Sequence, residues 1–128
     1  MRLLLDTHSF LWFVLNDRQL SALARGLIVE PANDILVSPA SYWEIAIKMS
    51  LNRYTLNAPY EVFMQRGIEG NEFQVLHIEP KHTAVLVNLP HHHRDPFDGL
   101  LIAQAIVEQV AIVSCDAALD AYPVTRLW

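Results

Sequence analysis

"RLLLDTHSFLWFVLN", residues 2–16, decides the fold because it changes its hydrophobic period part-way along. RLLLD (2–6) is a short apolar run ending in an acid, as in a strand buried on both faces. From Thr7 the apolar residues recur at helical spacing, so the stretch reads as strand, then helix. The same alternation continues outward. LSALARGLIVE (20–30) predicts a second helix and DILVS (34–38) a second buried strand. Ser38-Pro39 places a cap residue before a proline at the first helical position, opening a helix through about Leu51. A short helix is expected over 60–69, a third strand over FQVLHI (73–78) and a helix over 80–90. Asp95-Pro96 repeats the cap-plus-proline signal and starts a helix to about Val110. AIVSCD (111–116) is a fourth strand, again ending in an acid, and VTRLW (124–128) a candidate fifth. Apolar strands alternating with helices predict an α/β fold: a three-layer α/β/α sandwich around a central parallel sheet.

With 128 residues the chain is expected to form one domain, 1–128. Apolar residues make up 52% and charged residues 18%, which excludes extended disorder. Cys115 is the single cysteine, so no internal disulfide can form, and a reducing cytoplasm is the expected location. The first residues resemble a signal peptide superficially, but Asp6 and His8 interrupt the apolar run. No apolar stretch approaches the roughly 18 uninterrupted residues of a spanning helix. Fourteen acids against nine bases give a net charge of −5, the wrong sign for gripping nucleic acid by bulk electrostatics. A nucleic-acid ligand would therefore need a local basic strip or bound divalent cations.

In open parallel sheets ligands sit at the carboxyl ends of strands. Asp6 ends the first strand, Asp116 ends the fourth, and Glu44 and Asp98 lie early in helices that follow loops. Each has a bland reading. Asp6 and Asp116 suit N-caps of the segments that follow them. Glu44 suits an i,i+4 pair with Lys48, worth about 0.2–0.5 kcal/mol; a capping box from Ser41 to Glu44 requires the helix to start later than Ser38. Asp95, before a proline, is best read as the cap of its helix. Asp98 is different. Leu101, Ile102 and Ala105 stand at +3, +4 and +7, so its carboxylate rises from an apolar stripe. A helix N-terminus repays only about 0.3–1 kcal/mol of the cost of burying that charge. Clustered carboxylates also repel, by about 4 kcal/mol for two charges near 4 Å at an effective dielectric of 20. A divalent cation reverses that sign. Oxygen-only ligands suit Mg²⁺ or Mn²⁺, which would activate water and let an acidic protein hold a phosphodiester.

His91, His92 and His93 are consecutive and do not converge on one ion by regular geometry, so zinc is disfavoured and a polar loop near substrate phosphate is expected. His8 is a candidate neighbour of the same site. Cys115 is expected to be a buried, inert thiol. The absence of a glycine-rich loop disfavours nucleotide binding.

LLLDTHSFLW, SPASYWEIAIK, LPHHHRDPFDGLLIAQA and AIVSCDAALDAY, in that order and over essentially the whole chain, resemble the PIN-domain ribonucleases, specifically the VapC-type toxins of bacterial toxin–antitoxin pairs. The DPFD helix with its LLIAQA continuation is the most specific of the four. The resemblance implies a small α/β/α sandwich, Mg²⁺ or Mn²⁺ dependence, endonucleolytic RNA cleavage, inhibition by a cognate antitoxin and frequent homodimers. Carried residue by residue, it implies a catalytic, metal-holding quartet of Asp6, Glu44, Asp98 and Asp116, with Ser114 as a small hydroxyl residue beside it. Two positions depart from the pattern. Gly99 stands where similar sequences usually have arginine, and Cys115 where other residues are commoner. Arg94, Lys48 and Arg53 are candidates for phosphate contact, with solvated surface charge as the default. Phe10, Trp12, Tyr42 and Trp43 suit the core first, a dimer or antitoxin surface second. Two rival readings remain: a catalytically inactive PIN-fold module acting through RNA or protein binding, and a phosphoryl-accepting receiver-like domain, for whose terminal lysine the chain offers only Arg126.

Overall fold

Leu3, Leu4 and Leu5 are all fully buried, yet they serve different cores, because successive side chains of a strand point to opposite faces. Leu3 and Leu5 join Ile35, Val37 and Val113 in one apolar cluster, whereas Leu4 joins Leu36 and Ile112 in another. An uninterrupted apolar strand is therefore what a sheet covered on both sides demands.

The computed structural model describes residues 1–93 and 95–128. Five parallel strands, β1 (Arg2–Leu5), β2 (Asp34–Val37), β3 (Gln74–Val75), β4 (Ala111–Val113) and β5 (Arg126–Leu127), lie in the order β3-β2-β1-β4-β5. Leu4 sits in register with Leu36 on one side and Ile112 on the other. The helices are α1 (Thr7–Val14), α2 (Ala22–Val29), α3 (Pro39–Ser50), α4 (Tyr60–Ile68), α5 (Pro80–Val87) and α6 (Pro96–Glu108). The first cluster draws on α1, α2 and α4 through Phe10, Ile28 and Phe63; the second draws on α6 through Leu101, Ile102 and Ala105. The expected three-layer α/β/α sandwich is the observed one. No helix of the described residues is long and apolar enough to cross a membrane.

The local signals act where the sequence puts them. Ser38 caps α3 through its hydroxyl, with Pro39 behind it, and Asp95 caps α6 by accepting from the Phe97 and Asp98 N–H groups at 2.9 and 3.3 Å. With α3 starting at Pro39, Glu44 lies in its second turn, which rules out the Ser41–Glu44 capping box. Helix α6 stops at Glu108, two residues short of the expected end, because Gln109 turns into the left-handed region at φ 55°. Strand β3 is shorter than FQVLHI suggests and pairs with β2 only at Gln74 and Val75. Helix α5 is joined to α6 by His82, fully buried, whose Nδ1 accepts from the Glu79 N–H at 3.0 Å and whose Nε2 lies 2.9 Å from Glu108.

From β1 the chain builds outward to β2 and β3, then returns to add β4 and β5 on β1's other side. Strand order thus reverses beside β1, and the crevice beyond the carboxyl ends of β1 and β4 is where such sheets take ligands.

Candidate metal centre

Asp6 follows β1 directly and is only 5% exposed. Its backbone is extended and its carboxylate caps α1, accepting from the Ser9 N–H at 2.8 Å. The bland reading of Asp6 as a cap is correct, and the same oxygens also face the crevice. Burial raises its pKa, partly offset by hydrogen bonds from Ser114 and Ser9. Ser9 anchors the turn to β4 by donating from its hydroxyl to the Val113 carbonyl at 2.8 Å. Thr7 donates to the Ser41 hydroxyl at 3.0 Å, tying the start of α1 to α3.

Helix α3 supplies Glu44, 3% exposed, with Lys48 Nζ 2.8 Å from its Oε2. The i,i+4 pair is real, but it is buried on the acid's side. Helix α6 supplies Asp98, one turn after its cap. Burial first, then the charges of Asp95, Asp6 and Glu44, against the opposing pull of His93, push its carboxyl up to about 7. Asp116 lies past β4, where it caps the short 3-10 turn Ala117–Ala121 by accepting from the Ala118 N–H at 3.0 Å. Burial would raise its pKa; His93, the Ala118 N–H and Arg126 outweigh that and hold it below the usual carboxylate range.

Asp6, Glu44, Asp98 and Asp116 line one pocket of about 190 Å³, together with Thr7, His8, His93, Asp95 and Cys115. Two of the acids converge tightly: single ligand atoms of His93, Asp98 and Asp116 all lie within 4.8 Å of one another. The residue types and the pocket suit a divalent cation. Five carboxylates, Asp95 among them, crowd a partly desolvated site, and Asp98 resists ionising there because it is buried and faces neighbouring negative charge.

Sequence reasoning missed the role of one histidine. Of the three consecutive rings, His93 turns into the pocket, with Nε2 2.7 Å from Asp116 Oδ2 and 3.2 Å from Asp98 Oδ2. Burial works against its protonation, but Asp116, Asp98 and Asp95 prevail and raise its pKa. Tyr122 holds the loop in place: its hydroxyl accepts from the His93 N–H and donates to the Pro90 carbonyl, each at 2.8 Å. His8 is exposed and bonds Tyr54 through Nε2 at 3.3 Å.

Cys115 corrects an expectation. It is exposed and lines the pocket, since β4 ends at Val113 and the strand's in-out alternation ends with it. Partial desolvation, then the charges of Asp6 and Asp116 beside it, push its thiol up and disfavour the reactive thiolate. The expected phosphate contacts divide as well. Lys48 is committed to Glu44 and lies over the Tyr54 ring, Arg53 is exposed, and Arg94 lies outside the described residues. Arg126 pairs through both nitrogens with Asp120 at 2.9 and 3.0 Å. Of the aromatic residues, Phe10 is core, Trp12 packs against Trp128, Tyr42 is half-buried, and Trp43 is exposed with its ring against Phe97.

The PIN domain family model matches residues 3–124. The chain belongs to the PIN domain family. PIN domains are generally nucleases, and the acid-lined crevice lies where the PIN fold's reversal of strand order makes room for it. Among solved structures, this PIN chain is similar to one in VapBC2 from Rickettsia felis bound to a DNA fragment from their promoter, at 14% identity and a TM-score of 0.72, covering 99% of this chain and 98% of that one. It is also similar to a chain of FitAB bound to an IR36 DNA fragment (18% identity, TM-score 0.67, 98% and 93% covered). FitAcB from Neisseria gonorrhoeae gives 14% identity, a TM-score of 0.63 and coverage of 98% and 96%. At these identities the likeness is one of fold. No curated protein sequence matches the chain. Membership of the PIN family removes the receiver-like alternative.

Proposed function

We propose that this protein is a metal-dependent endoribonuclease, the toxin component of a toxin–antitoxin pair. The observation that carries the proposal is the convergence of Asp6, Glu44, Asp98 and Asp116 on one pocket at the carboxyl ends of β1 and β4. These four residues would hold Mg²⁺ or Mn²⁺, and a bound ion would supply Lewis-acid polarisation of the phosphodiester and a lowered pKa for water. The chain's own groups prepare the site. The Ser9 N–H and the Ala118 N–H each fix one oxygen of the Asp6 and Asp116 carboxylates, which orients both groups at the pocket. Asp98 holds a proton up to about pH 7 and gives it up when a positive charge offsets its neighbours. Lys48 neutralises Glu44, which limits the acid's repulsion of an incoming phosphate.

A cognate antitoxin and a homodimer complete the proposal. The antitoxin is supported by the structural likeness to chains of the VapBC2 and FitAB complexes. The test is cleavage of a mixed RNA pool by antitoxin-free protein in Mg²⁺, Mn²⁺ or EDTA, beside an Asp98→Asn variant checked for folding. Metal-dependent cleavage, lost in the folded variant, is the expected result. If wild type and variant were equally inert with every ion while still binding RNA or a partner, the protein would be a catalytically inactive PIN-fold module.

A further inference from the structure

His93 stands between Asp98 and Asp116, two of the acids that would hold a cation, and its ring nitrogens are not interchangeable. Nδ1 accepts a hydrogen bond from the Asp95 N–H at 3.1 Å. A neutral imidazole has one N–H and one lone pair, so an accepting Nδ1 places the ring hydrogen on Nε2. Nε2 is the atom that lies 2.7 Å from Asp116 Oδ2 and 3.2 Å from Asp98 Oδ2. While the Asp95 contact lasts, Nε2 donates and has no lone pair for a metal ion.

We propose that His93 is not a metal ligand but a stand-in for the cation, an N–H donor that holds Asp98 and Asp116 together in the metal-free protein and swings out when the ion arrives. The inference rests on the metal centre proposed above. The loop is built for such a swing. The His93 backbone N–H is held by the Tyr122 hydroxyl, and that hydroxyl is held by the Pro90 carbonyl, so the ring leaves without releasing the chain. A ring that has left keeps its N–H donor at the rim of the pocket, where an anionic substrate oxygen would meet it. His93 thus positions the two acids before metal binding and is a positioning residue in the sense that it acts through them.

Mn²⁺ binding by calorimetry to wild type, His93→Ala and Asp98→Asn, all at one pH, separates the alternatives. His93→Ala is expected to bind Mn²⁺ about tenfold more tightly, since the ion no longer has to break a charge-assisted hydrogen bond. Unchanged or weaker binding by His93→Ala, with wild type still binding, would overturn the stand-in role and leave the metal centre standing. Failure of wild type and His93→Ala alike to bind Mn²⁺ would overturn the metal centre, and the stand-in with it. A second measurement needs no substitution at position 93. Ring nitrogen NMR of wild type is expected to show hydrogen on Nε2 without metal and still on Nε2 after Mg²⁺ is added, with its hydrogen-bonded shift lost. A Nε2 that instead loses its hydrogen to the metal, with hydrogen appearing on Nδ1, would make His93 a ligand.

Discussion

Lys48 Nζ lies 2.8 Å from Glu44 Oε2, one turn along α3, and the two differ sharply in exposure: the Glu44 side chain is 3% exposed, the Lys48 side chain 27%. The pair is therefore not an ordinary surface ion pair of about 0.2–0.5 kcal/mol. Its lysine is the only formal positive charge in contact with Glu44 among the described residues. Lys48→Met leaves the carboxylate buried and unpaired, and is expected to cost about 1–3 kcal/mol in urea unfolding. Adding Glu44→Gln to that variant should recover most of the loss. A double variant no more stable than Lys48→Met would show that the lysine acts through its packing on Tyr54 instead.

The metal-free protein is expected to lose stability as pH rises between about 4 and about 7. The folded pKa of Asp98, about 7, lies above its ordinary value of 3.8, so in that window the folded state binds more protons than the unfolded chain. Burial of Asp6 acts in the same direction. Asp98→Asn removes the Asp98 contribution and should be more stable than wild type at pH 8 in EDTA, by at most about 4 kcal/mol. Parallel stability curves for the two proteins from pH 4.5 to 8 would contradict this.

Because Asp98 must be ionised to hold a cation, apparent Mg²⁺ or Mn²⁺ affinity should climb as pH rises through about 7 and level off above it. Thermal unfolding shows the same linkage: saturating Mn²⁺ should raise the wild-type Tm more at pH 8 than at pH 6. A Tm response to Mn²⁺ that is identical at both pH values, or equally large in Asp98→Asn, would place the ion elsewhere.

The parts of this site that were legible in the sequence are those fixed by one segment at a time. Asp6 and Asp116 are strand-end acids, Ser38-Pro39 and Asp95-Pro96 announce helix starts, and Asp98 betrays itself by rising from an apolar stripe. What was not legible depends on contacts between distant segments. His93 is set apart from His91 and His92 partly by near neighbours, the Asp95 N–H on its Nδ1 and Asp98 at its Nε2, and partly by Tyr122 and Asp116, both more than twenty residues further along. Cys115 was expected to point inward because the strand was read through to Asp116, whereas pairing with β1 ends at Val113. The shortness of β3 likewise follows from the two residues of β2 it can reach.

Two glycines should respond oppositely to alanine. A Cβ at Gly67 would lie 2.9 Å from Phe10 Cζ and 3.1 Å from Val14 Cγ2, inside the packed face between α4 and α1. Phe10 is fully buried between Phe63 and Phe73 and has no room to give, so Gly67→Ala is expected to destabilise by about 1–3 kcal/mol. At Gly99 a Cβ would meet only Leu86 Cδ1, at 3.3 Å, and Leu86 borders an open pocket into which it can shift. Gly99→Ala should therefore keep most of the helix-propensity gain of about 1 kcal/mol. Loss of stability in Gly99→Ala would mean that Leu86 is held more firmly than its surroundings indicate.

Tyr122→Phe tests whether the loop before α6 depends on one hydroxyl. The Tyr122 ring is buried in the second core cluster, so phenylalanine keeps the packing and removes only the group that accepts from the His93 N–H and donates to the Pro90 carbonyl. Losing two partly buried hydrogen bonds should cost about 1–2 kcal/mol globally. The larger effect is expected to be local, as faster amide hydrogen exchange at His93 while Leu101 and Ile102 in α6 stay protected. With the backbone loosened, the His93 ring should hold Asp98 and Asp116 less firmly, so apparent Mn²⁺ affinity is expected to rise, in the same direction as for His93→Ala. Unchanged exchange at His93 would show that the ring's own bonds to Asp95 and Asp116, rather than Tyr122, fix the loop.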